Sequence, residues 1–378
     1  MRAWGGVGLA LLWLGLVGAG CDRGAIAETP VALAEATAVE APPRDHAAES
    51  QKLLEEPDRE GLLIGEFRLA EDPIVDGDTI RVEGVEGSIR LLSIDTEEKL
   101  RGKANRAAAE RDFAAYLEKK RGNAIRPQKA ETPMGDQATT FAESFFEGVD
   151  VVRLERDDPK EMRGQYGRLL AYVFAEKNGR WTSYNVECVR AGMSPYFTKY
   201  GYSRRFHNHL THAEAEAREA QRGIWSPDAK GYSDYDERKA WWEARAQFIR
   251  AFEHEANRRD DYVQLSHWDA EARLEERLGQ EVTVLGTIGQ IKTFKGLVRV
   301  SLNGARGTRF PIIFRDRALF RESGMARHAG EPVTVRGFVE RYEKKDYRTL
   351  QIEVTQPGQA AFPALPWPNE ETESKPDR

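Results

Sequence analysis

Three short segments combine carboxylates with arginines at spacings that suit catalysis. Asp76-Gly77-Asp78-Thr79 places Asp78 after an Asp-Gly turn, at the start of a strand. Residues 90–98 read Arg-Leu-Leu-Ser-Ile-Asp-Thr-Glu-Glu, and residues 166–172 read Tyr-Gly-Arg-Leu-Leu-Ala-Tyr. Carboxylates move protons and bind hard cations, whereas guanidinium groups bind phosphate or carboxylate oxygens. Turn residues or structural ion pairs are the better interpretation of any one segment alone, but together the segments indicate a functional site.

These side chains must be brought together at the ends of strands. Alternation along the strand puts Leu92 and Ile94 on the face of Arg90, so Asp95 does not simply share that face. The polar cluster is therefore expected where the strand ends and the chain turns. Arg168 comes from the start of another strand.

Four segments predict helices around these strands. Residues 103–120 are dense in Ala, Arg, Glu and Lys, and residues 137–146 predict a second helix. A long helix over residues 204–221 is expected to end at Arg222-Gly223. Residues 234–257 carry tryptophans and phenylalanines at spacings typical of a buried stripe, which favours packing between domains.

Beyond Leu278 the pattern is that of a second barrel. Five β-like runs, with a helix-like segment between the third and fourth, follow the plan of an OB fold. The runs cover residues 281–290, 297–302, 308–314, 331–341 and 347–354. Residues 278–358 hold fourteen basic and eight acidic residues, with aromatic residues interleaved. Two interpretations stay open: single-strand binding by these aromatics, or aromatics that fill the barrel core.

The motifs as a set resemble the staphylococcal nuclease (thermonuclease-like) family. They occur in family order over residues 61–228, and Gly223-Ile224-Trp225-Ser226 is similar to the family's terminal tryptophan motif. The resemblance implies a fold that is mostly β plus α. An OB-fold-like nuclease barrel with helices would be followed by a helical segment and the second five-stranded OB-like barrel.

The resemblance also implies a role for each site residue. Asp78 and Asp95 look like carboxylate ligands of Ca²⁺, with the Thr96 carbonyl as a further oxygen ligand. Glu98 matches the glutamate that activates water. The other matches are with family residues that bind the substrate. Arg90 and Arg168 match the arginines that bind the scissile phosphate. Tyr166 and Tyr200 match tyrosines that contact phosphate and stack on a base.

Two departures from the family pattern bear on this site. The usual Asp-Thr-Pro-Glu is Asp95-Thr96-Glu97-Glu98 here, so the Pro is missing and Glu97 is an alternative to Glu98 as the base. In addition, a basic insert of about residues 101–130 stands where the family has a flexible loop. Residues 101–129 hold nine basic and three acidic residues. This insert is either a solvated helix or an added clamp on the phosphate backbone.

The two ends of the chain predict export and flexible segments. Residues 1–21 have a basic start, an apolar run and small residues before Cys21, as in a lipoprotein-type signal peptide with Cys21 as the lipidation site. Residues 22–60 predict a disordered tether. The domains that follow are expected at 61–230 (nuclease), 231–275 (helical connector) and 278–357 (OB-like), with a disordered tail at 358–378.

The resulting prediction is a calcium-dependent extracytoplasmic nuclease. It would hydrolyse phosphodiester bonds of DNA and RNA, and by resemblance it would leave 3′-phosphate ends. It would be lipid-anchored to a bacterial envelope membrane, or else periplasmic or secreted. The alternative is a noncatalytic nucleic-acid-binding envelope protein. The net charge of −6 excludes neither, and two cysteines are too few for a disulfide framework or a zinc cage.

Overall fold

The computed structural model describes residues 61–161, 163–164, 167–345 and 347–367. The predicted signal peptide with Cys21, the tether, Tyr166 and the last part of the tail therefore lie outside the described residues. Across the described ranges, no helix combines the length and apolar character needed to cross a membrane.

The first half of the described chain is a six-stranded sheet with helices, and five of its strands close into a barrel. The strands are β1 (Leu63–Asp76), β2 (Thr79–Val82), β3 (Ile89–Leu91), β6 (Val151–Glu155), β7 (Leu170–Lys177) and β8 (Arg180–Ser183). The sheet runs in the order β3-β2-β1-β6-β7-β8; parallel pairing of Arg90 in β3 with Leu170 in β7 closes the barrel, and β8 adds to the outer edge of β7. Apolar side chains that alternate along these strands, such as Ile80 and Val152, are fully buried inside. The predicted OB-fold-like barrel is confirmed.

Helices cover the open ends of this barrel. They are α3 (Pro133–Phe146), α4 (Tyr184–Arg190) and α5 (His207–Glu219), and a short 3-10 helix (Gly223–Trp225) follows α5. Helix α3 begins at Pro133, whose fixed φ suits the first helical position, and the Thr132 side chain accepts a hydrogen bond from Gly135 N at 3.3 Å. Its buried face, which includes Ala138, Ala142 and Phe146, packs on the barrel.

The basic insert forms two helices rather than the single predicted one. They are α1 (Lys103–Arg111) and α2 (Phe113–Arg121). The strands β4 (Glu98–Lys99) and β5 (Glu131–Thr132) precede and follow them in the sequence and pair with each other. The break falls at Asp112, whose backbone is extended and whose carboxylate accepts a hydrogen bond from Ala115 N at 3.0 Å. An aspartate side chain that hydrogen-bonds to a backbone N–H stabilises the start of a helix and is unfavourable inside one. A new helix therefore begins after Asp112, and this accounts for the break.

A connecting segment leads from the first barrel to the second. It contains α6 (Tyr235–Ala256), β9 (Tyr262–Gln264) and α7 (Ala270–Glu276). Trp241, Trp242 and Phe252 of α6 are buried, as the aromatic stripe predicts, and Phe248 is half-buried. The strand β9 lies parallel to the first strand of the second barrel, so the connector is built into that sheet.

The second barrel contains the five predicted strands and the helix between the third and fourth. These are β10 (Glu281–Phe294), β11 (Leu297–Asn303), β12 (Arg309–Phe314), α8 (Arg317–Glu322), β13 (Pro332–Lys344) and β14 (Tyr347–Glu353), with a 3-10 turn (Ala305–Gly307) before β12. Pairing of β10 with β13 closes the sheet. Of the aromatic residues, Phe310 is buried in the core, whereas Phe294, Tyr342 and Tyr347 are exposed.

The segment after residue 358 differs from its prediction as a disordered tail. Residues 360–361 form β15 (Ala360–Ala361), which pairs with β13. Phe362 stacks on His328 with ring centroids 4.1 Å apart, and Trp367 contacts Trp241. The rings of Phe362 and Trp367, packed on the half-buried His328 and the buried Trp241, anchor this segment in spite of its proline-rich composition.

A buried contact network joins the two barrels, which lie in one compact unit. At its centre is Glu331, directly before β13, which is completely buried and forms an ion pair with the buried Arg245 of α6. Trp241 Nε1 lies 3.2 Å from both carboxylate oxygens of Glu331, and Arg126 Nη1 of the basic insert lies 3.2 Å from Glu331 Oε1. The Glu331 network therefore ties the second barrel to both the connector and the insert.

Candidate active site

Asp78 is held in the turn between β1 and β2 with both carboxylate oxygens occupied. Its Oδ1 accepts a hydrogen bond from Thr79 Oγ1 at 2.9 Å, and its Oδ2 accepts one from Thr96 N at 2.9 Å. Asp78 is buried, so these bonds offset the cost of removing the carboxylate from water. They also fix the turn against the segment that carries Asp95 and Thr96.

Arg90 links the two candidate metal-binding carboxylates. It forms an ion pair with Asp78 through Nη1, while Nη2 donates to Asp95 Oδ1 at 2.5 Å and to the Ile94 carbonyl at 3.0 Å. The strand β3 ends at Leu91, and Ser93 adopts a left-handed φ of 61°. Because the chain turns there, Asp95 returns to Arg90, at the strand end where the sequence pattern predicts the cluster.

Asp95 lies among cations that favour its charged form. Burial acts to raise the pKa of this carboxyl, but the nearby charges of Lys129 and Arg90 outweigh burial and hold the pKa below its ordinary value. Lys129 Nζ is 3.0 Å from Asp95 Oδ1. Asp95 is therefore an anion at neutral pH, as a cation ligand must be.

Glu98 faces this cluster, whereas Glu97 faces the interior. The Glu98 side chain is 46% exposed, and its Oε1 is 3.1 Å from Lys129 Nζ, which also contacts Asp95. Glu97 is 1% exposed, and its Oε1 accepts hydrogen bonds from Tyr235 OH at 2.7 Å and Tyr232 N at 2.8 Å. Burial raises the pKa of Glu97 despite these donors. Only Glu98 is placed to receive a proton from solvent in the site.

Close packing of α3 sets this geometry. An added Cβ on Gly135 would lie 2.2 Å from the Glu98 carbonyl oxygen and 2.7 Å from the Glu97 carbonyl oxygen. Gly135 therefore lets the first turn of α3 rest directly on the backbone of residues 97–98. The other Glu97 oxygen accepts a hydrogen bond from Thr132 Oγ1, which also caps α3.

Lys129 is a site residue that the motif analysis does not single out. It lies at the end of the basic insert, and the net positive charge of that insert is the only sequence signal for it. Burial lowers the pKa of its ammonium, but Asp95 and Glu98 act against burial, and the pKa is raised overall. The insert thus delivers at least one cation directly to the carboxylates.

Arg168 stands at the start of β7 with an exposed side chain. Gly164 N donates to the Arg168 carbonyl at 3.0 Å, and Arg163 Nη1 donates to the Gly167 carbonyl at 2.6 Å, so the preceding turn is fixed. Among the described residues, none forms a hydrogen bond or ion pair with the Arg168 guanidinium. Its five donors are therefore available to a ligand.

The site opens into a cleft between the two barrels, here called the interbarrel cleft, with a volume of about 450 Å³. The first barrel contributes the site residues Arg90, Asp95, Lys129 and Arg168, and the second contributes residues 285–287 and 303–305. Tyr200 also lines the cleft, with 63% of its surface exposed. The cleft thus brings the predicted arginines and tyrosine to one surface.

Comparison with known proteins shows the family to which this chain belongs. Residues 88–227 match the family model described as staphylococcal nuclease homologue. An uncharacterized protein of Methanocaldococcus jannaschii is 30% identical over 161 residues, which cover 40% of this chain and 69% of that protein. The chain belongs to the staphylococcal nuclease homologue family. An uncharacterized protein of Bacillus anthracis is 32% identical over 163 residues, and the match spans 43% of this chain but only 61% of that relative.

The family match begins at residue 88, so Asp78 lies before it. In this staphylococcal nuclease homologue, Asp78 joins the site through its ion pair with Arg90 and its hydrogen bond from Thr96 N. Its inclusion therefore depends on the geometry of the structure and not on the family match.

The donor chemistry of this nuclease homologue fits a hard cation. Asp78, Asp95 and the Thr96 carbonyl offer only oxygen, and Arg90 holds the two carboxylates together. Within the described ranges, no group of three or more His, Cys, Asp or Glu residues could hold a metal by itself. A Ca²⁺ ion here would therefore need carbonyl and water ligands beside the two carboxylates.

Proposed function

We propose that this nuclease homologue is a calcium-dependent phosphodiesterase that hydrolyses DNA and RNA and leaves 3′-phosphate ends. The observation that carries the proposal is the joined cluster at the mouth of the interbarrel cleft. Arg90 contacts Asp78 and Asp95, Lys129 connects Asp95 to Glu98, and Arg168 lines the same cleft.

The side chains divide the reaction among them. Glu98 accepts a proton from the attacking water, since its carboxylate is partly exposed to solvent and contacts Lys129, which also contacts Asp95. Arg90 and Arg168 donate hydrogen bonds to the scissile phosphate and stabilise the charge that develops on its oxygens. Asp78, Asp95 and the Thr96 carbonyl would hold Ca²⁺, which when bound supplies Lewis-acid stabilisation of the phosphoryl oxygens. Tyr200, exposed in the cleft, offers a ring on which a base can stack.

A cleavage assay tests the proposal. The purified full chain should degrade a fluorescently labelled single-stranded DNA and an RNA of the same sequence in millimolar Ca²⁺, and chelation should stop both reactions. Treatment of the products with a 3′-phosphatase should change their mobility in a denaturing gel. Binding of the oligonucleotides without cleavage would instead support a noncatalytic nucleic-acid-binding protein and would overturn the enzymatic proposal.

We also propose that the protein is exported and lipid-anchored through Cys21. The support is the sequence of residues 1–21, with its basic start, apolar run and small residues before the cysteine. Metabolic labelling with a radioactive fatty acid should label the wild type and not Cys21→Ser. If both chains are labelled equally, or if neither is labelled, the proposal that Cys21 carries a lipid anchor is wrong.

A further inference from the structure

Two arginines line one side of the interbarrel cleft, and a third lies in a turn on the opposite side. Arg163 and Arg168 flank the turn that leads into β7, and both line the cleft. Arg306 lies in the 3-10 turn of the second barrel, directly after Gly304 and Ala305, which line the cleft from the opposite side. The two turns therefore face each other across one space.

The fold holds the Arg306 turn in place against the first barrel. Ala305 N donates to the Leu265 carbonyl at 2.9 Å, and three residues further on Trp268 N donates to the Lys160 carbonyl at 3.1 Å. An added Cβ on Gly304 would lie 2.9 Å from the same Leu265 carbonyl. The segment 265–268 thus connects the Arg306 turn to the first barrel through backbone hydrogen bonds.

Arg306 itself has an uncommon conformation. Its φ of 53° lies in the left-handed region, where a non-glycine residue is unusual, and its side chain is exposed. Strained backbone at a cleft is often associated with function. Among the described residues, none forms a hydrogen bond or ion pair with its guanidinium.

The electrostatics show that Arg163 and Arg306 are close enough to repel each other. Burial lowers the pKa of Arg163, and the charge of Arg306 lowers it further, while Glu86 acts in the opposite direction. Three carboxylates that line the cleft have other partners. Asp157 accepts from Ser203 Oγ at 2.9 Å, Glu161 accepts from Ser266 Oγ at 2.9 Å, and Glu253 forms an ion pair with Arg204 at 2.7 Å.

We propose that Arg306, together with Arg163, binds a phosphate of the substrate strand next to the scissile phosphate, so that the second barrel completes the substrate site of the nuclease. When an anion lies between two like charges, its attraction to both offsets their mutual repulsion. A phosphodiester fits because Arg168, beside Arg163, is the proposed ligand of the scissile phosphate, and the next phosphate of the same strand lies one nucleotide away. This inference rests on the proposed function.

Binding of a single strand by full-length variants tests this site. All variants carry Glu98→Gln to prevent cleavage, and the probe is a fluorescein-labelled twelve-residue thymidine oligonucleotide followed by anisotropy in Ca²⁺. Arg306→Gln should weaken binding about five- to tenfold at low salt and reduce the slope of log Kd against log salt by about 0.7, as for one lost contact with a single strand. Arg306→Lys should restore most of the slope.

Arg321→Gln is the matched control. Arg321 is an exposed arginine of α8 in the same barrel, it lies outside the turn of residues 304–307 that borders the cleft, and its substitution removes the same charge. It should leave both the Kd and the slope unchanged. If Arg306→Gln and Arg321→Gln give the same Kd and slope as the parent, the proposal is overturned.

A second variant covers the possibility that glutamine strains the turn. Arg306→Gly removes the guanidinium while it suits the left-handed φ, and it should reproduce the loss of slope. In the catalytically intact chain, Arg306→Gly should raise KM for the oligonucleotide and leave kcat nearly constant. If the wild-type chain binds the oligonucleotide but does not cut it, the nuclease function is refuted. The anisotropy measurements on the Arg306 variants would still test the phosphate site by themselves.

Discussion

Adjacent glutamates 97 and 98 should separate stability from catalysis. Glu97→Gln replaces a fully buried carboxylate that accepts hydrogen bonds from Thr132 Oγ1, Tyr232 N and Tyr235 OH. Glutamine keeps one acceptor and presents an amide donor to groups that donate, so at least one hydrogen bond is lost in the interior. That loss costs about 1–3 kcal/mol. At about 2–4 °C per kcal/mol for domains of 150–250 residues, Tm should fall by roughly 2–12 °C.

Glu98→Gln should have the opposite profile. The side chain is half exposed, and its contact with Lys129 lies at the surface, so the free energy of unfolding should change by less than about 0.5 kcal/mol. Loss of the proposed base should lower kcat by about 10²–10⁴-fold.

The assay pairs thermal melting with cleavage of single-stranded DNA in Ca²⁺, well below the Tm of either variant. Glu97→Gln should then lower kcat far less than Glu98→Gln, because the Glu97 side chain does not reach the cleft and acts only by holding the backbone that carries Glu98. Equal losses of kcat in the two variants, or a loss confined to Glu97→Gln, would refute the assignment of Glu98 as the base.

Three further predictions concern groups elsewhere in the structure. Glu331→Gln leaves Arg245 buried without its anion, which should cost about 3–5 kcal/mol in urea unfolding, and an unchanged midpoint would contradict the Glu331 network. Arg168→Ala should reduce kcat/KM about 10²–10³-fold with little change in Tm, because the side chain is exposed; a large drop in Tm would indicate a structural role instead. Burial raises the pKa of Glu161 from 4.5 to about 7, so its contribution to stability is complete below pH 4.5 and is lost as the pH rises through 7. That loss of stability amounts to at most about 3 kcal/mol. Urea unfolding at pH 5 and pH 8 measures it, and Glu161→Gln should abolish the difference between the two pH values. An equal fall in the free energy of unfolding of wild type and variant would refute this explanation.

The parts of the fold that depend on local pattern could be predicted from the sequence. β-like runs predicted the strands of the second barrel, the family resemblance implied the first barrel, and the aromatic stripe predicted α6 and its burial. The break at Asp112 was missed because helix propensity in the insert is high on both sides, and only the capping hydrogen bond to Ala115 ends the first helix. The strand at residues 360–361 was missed because its partner β13 is distant in sequence.

The site residues that lie in short sequence motifs could be predicted from the sequence. Asp95 and Arg90 are five residues apart, so a single turn at Ser93 is enough to join them. Lys129 and the Arg306 turn are different, since Lys129 meets Asp95 through the packing of the insert, and the Arg306 turn borders the cleft through the packing of the second barrel. No periodicity or motif encodes such a contact, because it depends on backbone hydrogen bonds such as that between Ala305 and Leu265.

The missing proline of the family motif has a structural counterpart in Glu97. A proline before Glu98 would restrict the backbone through its ring. Here the buried carboxylate of Glu97 fixes the same backbone through hydrogen bonds from Thr132, at the end of the insert, and from Tyr232 and Tyr235, at the start of the connector. The position of Glu98 thus depends on residues beyond the terminal tryptophan motif. A chain that ends near Asp228 would lose both tyrosines and leave a buried carboxylate short of donors beside the proposed base, so the connector helps to position that base and also links the first barrel to the second.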